Sequence, residues 1–192
     1  VFDKNFVALM PGNYWLPLAG NDLNRDDTRA RARDYFSVNL EIAVPADWLV
    51  AGPGMRESLS PAQSGQARFR FSPQPQVSEV ALIASEFAAY AADIKDIHFE
   101  ILVHPGHTRN FEVLAPMQQE ISNWVENRLL LAQEAGLTYP FSAFTLVEVP
   151  NGLRVYKGGW RMDTALAPPG MMLMSESGFP TSRFDVNVTS NA

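Results

Sequence analysis

From Tyr35 to Val44 the chain alternates with hardly a fault. Phe36, Val38, Leu40, Ile42 and Val44 fall on one side, and Tyr35, Ser37, Asn39 and Glu41 on the other. Successive side chains of an extended backbone point to opposite faces, so a period of two kept over this length requires a strand with one buried face. A helix would scatter the same residues around its surface. Ala67-Arg-Phe-Arg-Phe71 repeats the pattern, and Ile97 to His104 places Ile97, Phe99, Ile101 and Val103 together. Trp48 to Gly54 reads as a short strand entering a glycine turn, and Val80 to Phe87 as a buried strand. Pro45 and the cluster Ser72 to Pro75 break these segments apart. Short strands with turns between them argue for an antiparallel β-sandwich or saddle-shaped pair of sheets. The opening, Val1 to Arg33, reads as loop, with Phe6, Tyr14 and Trp15 marking places where it packs.

Near residue 113 the periodicity changes. Met117, Ile121, Trp124, Val125, Leu129, Ala132 and Ala135 recur at three and four residues, the stripe of an amphipathic helix. Pro116 stands where a first-turn proline is tolerated, and Gly136 where a left-handed cap is expected. Phe144 to Val149 then alternates as another strand, closed by Pro150-Asn-Gly152. Gly158-Gly159, Pro168-Pro169-Gly170 and Gly178-Phe-Pro180 make the remainder rich in loops. The expected fold is mostly β with a smaller α/β part. Residues 1–112 form a β-rich saddle-like domain, and residues 113–192 an incomplete α/β domain.

Composition narrows the function. With 46% hydrophobic residues the chain can bury a core, and it is not a disordered composition. Its 21 acidic residues outnumber its 15 basic ones, giving a net charge of −6 and no electrostatic reason to bind nucleic acid or an anionic membrane surface. It has no cysteine, which removes disulfides, thiolate zinc sites and thiol nucleophiles. Ala81 to Ala92 is the longest apolar stretch and is interrupted by Ser85 and Glu86, short of the ~20 residues that a membrane helix needs. The chain opens at Val1 without a methionine or a signal peptide, so an excised segment of a longer protein is expected.

Candidate chemistry is sparse. His104-Pro-Gly-His107 has a spacing that a turn can fold onto one metal ion, but catalytic zinc takes three protein ligands, and an exposed turn after a strand is the simpler reading. His98 alternates away from Phe99 and reads as a solvated surface residue. No Gly-x-Ser-x-Gly elbow exposes a serine, and Ser142 has no partner base in the sequence. Gly158-Gly159 lacks the lysine and helix start of a phosphate loop. Glu148 and Glu176 each sit in an apolar setting, where a carboxylate can be tuned to a task or simply paired. Tyr156 and Trp160 fit either an aromatic platform for a sugar or core packing.

The run Tyr139-Pro-Phe-Ser-Ala-Phe-Thr-Leu-Val-Glu-Val-Pro150, followed by Pro169-Gly170 and by Ser175-Glu-Ser-Gly-Phe179, resembles the M1 family of zinc aminopeptidases. It is most similar to the M1-like domains set among the membrane segments of bacterial ABC-transporter-permease fusion proteins. The matching positions are Tyr139, Pro140, Phe141, Phe144, Val147, Glu148, Pro150, Pro169, Gly170, Ser175, Glu176, Gly178 and Phe179. The alternating strand into Pro45, Trp48 with its glycine turn, and Phe69-Arg-Phe71 resemble the family's N-terminal β-saddle, so the likeness runs over roughly residues 30–180. The resemblance implies a β-saddle followed by the start of a thermolysin-like domain. In the family a Gly-x-Met-Glu-Asn strand holds the substrate's α-amine through its glutamate. That pentapeptide is absent, and Pro169-Gly-Met-Met-Leu-Met-Ser-Glu176 stands in the comparable place, which makes Glu176 the substrate-binding candidate.

No His-Glu-x-x-His occurs in the chain. The resemblance therefore places the zinc ligands beyond residue 192, with zinc a cofactor only of the full-length parent. No catalytic or metal-ligating residue is assigned here, and neither peptide hydrolysis nor stoichiometric zinc is expected of this chain alone. Two readings follow. In one the chain is a fragment of an M1-like metallopeptidase whose partners are the rest of its own polypeptide and, in the parent, a peptide substrate. In the other it is a non-catalytic β-rich interaction module, such as an extracytoplasmic part of a bacterial membrane transporter, with no membrane span of its own.

Overall fold

All four residues of the strand Leu82–Ser85 are buried. A strand in a sheet with one solvated face cannot achieve that, because alternate side chains would reach water. The reason lies in the layering seen in a computed structural model, which describes residues 4–11, 15–16, 35–59, 65–108, 118–151, 153 and 165–179. In chain order the elements are β1 (Phe6–Leu9), β2 (Leu40–Pro45), β3 (Leu49–Ala51), β4 (Arg56–Ser58), β5 (Gln66–Phe71), β6 (Leu82–Ser85), β7 (Ala88–Ile94), β8 (Ile97–Val103), α1 (Gln118–Glu134), β9 (Ala143–Val149), β10 (Ala165–Leu166) and β11 (Met171–Ser175). They form three sheets, ordered β1-β6-β3, β2-β5-β4 and β10-β11-β9-β8-β7. The chain is mostly β with a smaller α/β part, as its patterning predicts.

The sheet β1-β6-β3 is the middle layer. From its strands Val50, Leu82 and Ala84 point into one core with Val44, Trp48, Phe69 and Phe71 of the flanking segments. The alternate residues Phe6, Ala8, Ala51 and Ile83 point into a second core with Leu102, Val147, Val149, Met171 and Leu173 of the five-stranded sheet. The two cores lie on opposite sides of one sheet, so each strand of that sheet is apolar on both faces.

In the five-stranded sheet β8, β9 and β11 run parallel, with β7 and β10 antiparallel at the two edges. A parallel β8–β9 pair needs a crossover, and α1 supplies it, lying against β7. The helix ends as its sequence predicts. Gly136 adopts φ +78°, its N–H donates to Gln133 O at 2.9 Å and the N–H of Leu137 donates to Ala132 O at 2.8 Å, the paired bonds of a Schellman cap. Val125, Leu129 and Ala132 are half-buried, but Trp124 is 61% exposed and carries the Arg128 guanidinium 5.3 Å from its ring centre. The stripe is therefore narrower than predicted. Met117, the side chain of Ile121, and Pro116 lie outside the described residues.

Other departures have local causes. The long alternation at 35–44 is paired as a strand only from Leu40, while Phe36 makes an isolated bridge to Val77. The opening contains β1, whose four residues are too few to show a period. β7 was not distinguishable from the apolar segment before it, because three consecutive residues, Ala89, Tyr90 and Ala91, are all exposed. The two three-stranded sheets use only residues up to Ser85, and the five-stranded sheet begins at Ala88. Strands from both sides of residue 113 thus share one sheet, since the change in periodicity there marks a change of element within it.

Between α1 and β9, the Tyr139 hydroxyl donates to Ala143 O at 2.9 Å, and its ring meets Phe141 and Phe144. Burial pushes this phenol well above its ordinary value near 10. The unfolded chain then loses this proton first. Stability linked to Tyr139 is full below pH ~10 and falls as pH rises beyond it. In an alkaline ultraviolet titration one tyrosine should ionise later than the rest, and Tyr139→Phe should remove that late step.

Candidate functional site

The three parallel strands finish on the same edge of the sheet, where an α/β sheet commonly places its chemistry. β8 runs into a short 3-10 turn, Pro105–His107, and β11 into another, Glu176–Gly178. β9 ends on Val149, after which Asn151 caps the edge. Polar residues singled out in the sequence collect here.

Glu148 is the best-defined of them. It lies next to last in β9, opposite Met174 of β11, with only 3% of its side chain exposed. Its Oε2 accepts the backbone N–H of His104 at 2.8 Å, and its Oε1 lies 2.8 Å from His107 Nδ1. A buried carboxylate needs such donors, because it has no water to solvate it. Against an ionised carboxylate Nδ1 is the ring nitrogen that donates, which leaves Nε2 as the lone-pair nitrogen of the neutral ring, in a side chain that is 42% exposed. His104 takes the opposite arrangement, its Nδ1 accepting from Gly106 N–H at 3.1 Å. The two rings lie 5.2 Å apart, centre to centre. The exposed turn expected at this spacing is present, and the structure adds a buried glutamate behind it that is 41 residues away in sequence.

Glu176 stands one residue beyond β11 and is half-buried. Its Oε2 accepts Asn151 N–H at 3.4 Å, while Asn151 Oδ1 accepts Ser177 N–H at 3.1 Å. These two bonds clasp the ends of β9 and β11 together. His98 pairs with Asp93 across the β7–β8 hairpin, Nδ1 to Oδ1 at 2.8 Å, on the surface as expected. Tyr156, Gly158, Gly159 and Trp160 lie outside the described residues.

Sequence reading missed the buried pair Arg56–Glu100. His98 reads as solvated, but further along the same face of β8 Glu100 is buried and Leu102 packs against the middle sheet. The Arg56 guanidinium reaches Glu100 Oε1 at 2.5 Å and Val50 O at 3.0 Å, and lies 5.5 Å from the Phe69 ring centre. The one signal was a glutamate alternating with a leucine. Among the described residues no three His, Cys, Asp or Glu side chains group as a closed metal site does.

No family model matches the sequence, and no curated protein matches it. Solved structures do, and they share a class: the fold is similar to that of M1 zinc metallopeptidases. The M1 zinc metallopeptidase from Deinococcus radiodurans matches with a TM-score of 0.51 and 15% identity, over 78% of this chain and 32% of that one. A mutant of that enzyme bound to a Tyr-Ser-Ala substrate matches at 0.50 and 15%, over 74% and 30%. A two-domain M1 zinc metallopeptidase mutant bound to L-tryptophan matches at 0.52 and 17%, over 78% and 31%. This chain spans about a third of the length of each. At such identities the likeness is one of fold.

Proposed function

We propose that this chain is a segment of an M1-type metallopeptidase, contributing the β-rich unit and the first strands of the catalytic domain, with peptide hydrolysis a property of the parent protein. The observation that carries the reading is the fold likeness over 74–78% of the chain, which takes in more than either unit alone. Sheet membership favours dividing the two units between Ser85 and Ala88 rather than at residue 113.

Zinc in such an enzyme polarises the scissile carbonyl and activates water. The described residues offer no three-ligand set for it, so no hydrolytic step is assigned to them. Their part is scaffolding, together with a contribution from Glu176. A half-buried carboxylate at the end of β11 is suited to a substrate's α-ammonium group, and its bond from Asn151 keeps it aimed. The test is aminopeptidase assay of this chain and of the chain extended along its parent reading frame, each with and without a zinc chelator. Cleavage by the extended protein alone, abolished by the chelator, is the expected result. A Glu176→Gln change there should raise KM for substrates with a free amine more than it lowers kcat. An extended, zinc-loaded protein without activity would overturn the reading.

A second reading, an interaction module of a membrane transporter of the ABC-permease type, is favoured by the outward face of α1, where Trp124 and Leu131 are 61% and 55% exposed. Exposed apolar area of this kind is commonly a protein contact. Among the described residues no helix is long and apolar enough to cross a membrane.

A further inference from the structure

We propose that the His104–His107 turn binds a late divalent transition-metal ion, Cu(II) more tightly than Zn(II), through its two imidazoles, with Glu148 as the buried carboxylate that orients His107. The proposal does not depend on the peptidase reading.

Three observations converge on it. First, metal-ligating histidines characteristically donate their other ring N–H to a carboxylate, which fixes the tautomer and makes the free nitrogen more basic. His107 has that arrangement: Nδ1 lies 2.8 Å from a carboxylate whose side chain is 3% exposed, so Nε2 is the nitrogen left for a metal ion, on a side chain that is 42% exposed. Second, a second imidazole stands at a suitable distance. Two rings bound to one ion at about 2.0–2.1 Å have centres roughly 5 Å apart, and His104 and His107 are separated by 5.2 Å. Third, the turn between them is stiff and compact. Pro105 fixes its start, and at Gly106 an added Cβ would come within 3.1 Å of His104 Nδ1.

The two ligands are unequally prepared. His107 is already set by Glu148, whereas His104 must release its bond from Gly106 N–H or turn its ring to offer a lone pair. No third protein ligand groups with them among the described residues, so the two imidazoles are the protein donors proposed, with water beside them. Imidazole donors with water follow the usual divalent order, in which Cu(II) exceeds Zn(II). The carboxylate of Glu148 offsets part of the ion's charge.

The test is calorimetric titration of the chain, free of any polyhistidine tag, with Cu(II) and then Zn(II), using glycine as a weak competitor. One equivalent of Cu(II) should bind. His107→Ala should weaken it by tenfold or more, Glu148→Gln by about 10–100-fold, and His104→Ala by less than His107→Ala. His98→Ala, which removes a surface histidine from the strand leading into the turn, should leave binding unchanged. Substoichiometric Cu(II) should also broaden the ring resonances of His104 and His107 before that of His98. If Glu148→Gln does not fold by circular dichroism, the half-exposed His107→Ala position decides the matter. Unchanged affinity in His107→Ala, an equal loss in His98→Ala, or no saturable binding would each overturn the proposal.

Discussion

Replacing Glu100 with alanine should lower the unfolding free energy by about 3–5 kcal/mol, the usual cost of stranding one member of a buried ion pair. For a chain of this size that corresponds to a fall in Tm of about 6–20 °C. The side chains of Arg56 and Glu100 are only 16% and 9% exposed, and they lie between β4 and β8, in different sheets. Removing the carboxylate leaves the guanidinium with Val50 O and the Phe69 face, neither of which carries a compensating charge. The double change Arg56→Met with Glu100→Leu should cost much less than either single change, because it withdraws both desolvated charges at once. Urea denaturation of the unsubstituted chain, Glu100→Ala, Arg56→Met, Glu100→Leu and the double variant decides it. A single-variant loss below about 1 kcal/mol would mean that the pair is effectively solvated.

Gly170→Ala is the second large effect, expected at about 2–5 kcal/mol from two sources. Pro168-Pro169-Gly170-Met171 is a type II turn, closed by Met171 N–H to Pro168 O at 3.1 Å, with Gly170 at φ +78°. An L side chain there is strained in any surroundings. Its Cβ would also stand 2.6 Å from Gly54 N, where the glycine turn after β3 meets the turn that starts β11. Backbone cannot swing aside as a flexible side chain does. Gly136 provides the control, since it has the same φ of +78° with nothing within 4 Å. Gly136→Ala should therefore cost only about 1 kcal/mol. Equal losses at the two positions in thermal unfolding would show that the two turns do not press on one another.

These two predictions fall where sequence reading was weakest. Gly170 was legible as a turn residue, because Pro-Pro-Gly declares its geometry locally, but nothing local said that Gly54 lay against it. Glu100 carries no signal of its own for core or solvent, because its neighbours on that face, His98 and Leu102, are an ambiguous set. The strands β3, β5, β6, β8 and β9 were legible from period and breakers, as was the capped end of α1. β1, β4 and β7 were not, being either too short or too evenly exposed to carry a period. At the site, His104, His107, Glu148 and Glu176 were each visible as candidates. Their grouping was not, since 41 residues separate His107 from Glu148.

What the sequence determined by itself is the inventory of elements: period-two segments that must be strands, one helical stripe with its glycine cap, and no complete metal or nucleophile motif. These are local properties, set by backbone geometry within a few residues. Only the tertiary structure decided that the β1-β6-β3 sheet is the middle layer, that β8 buries the face carrying Glu100 and Leu102, and that Glu148 stands behind His107. Those facts depend on which surfaces meet, and a strand's own alternation cannot say whether its polar face will find water or another sheet.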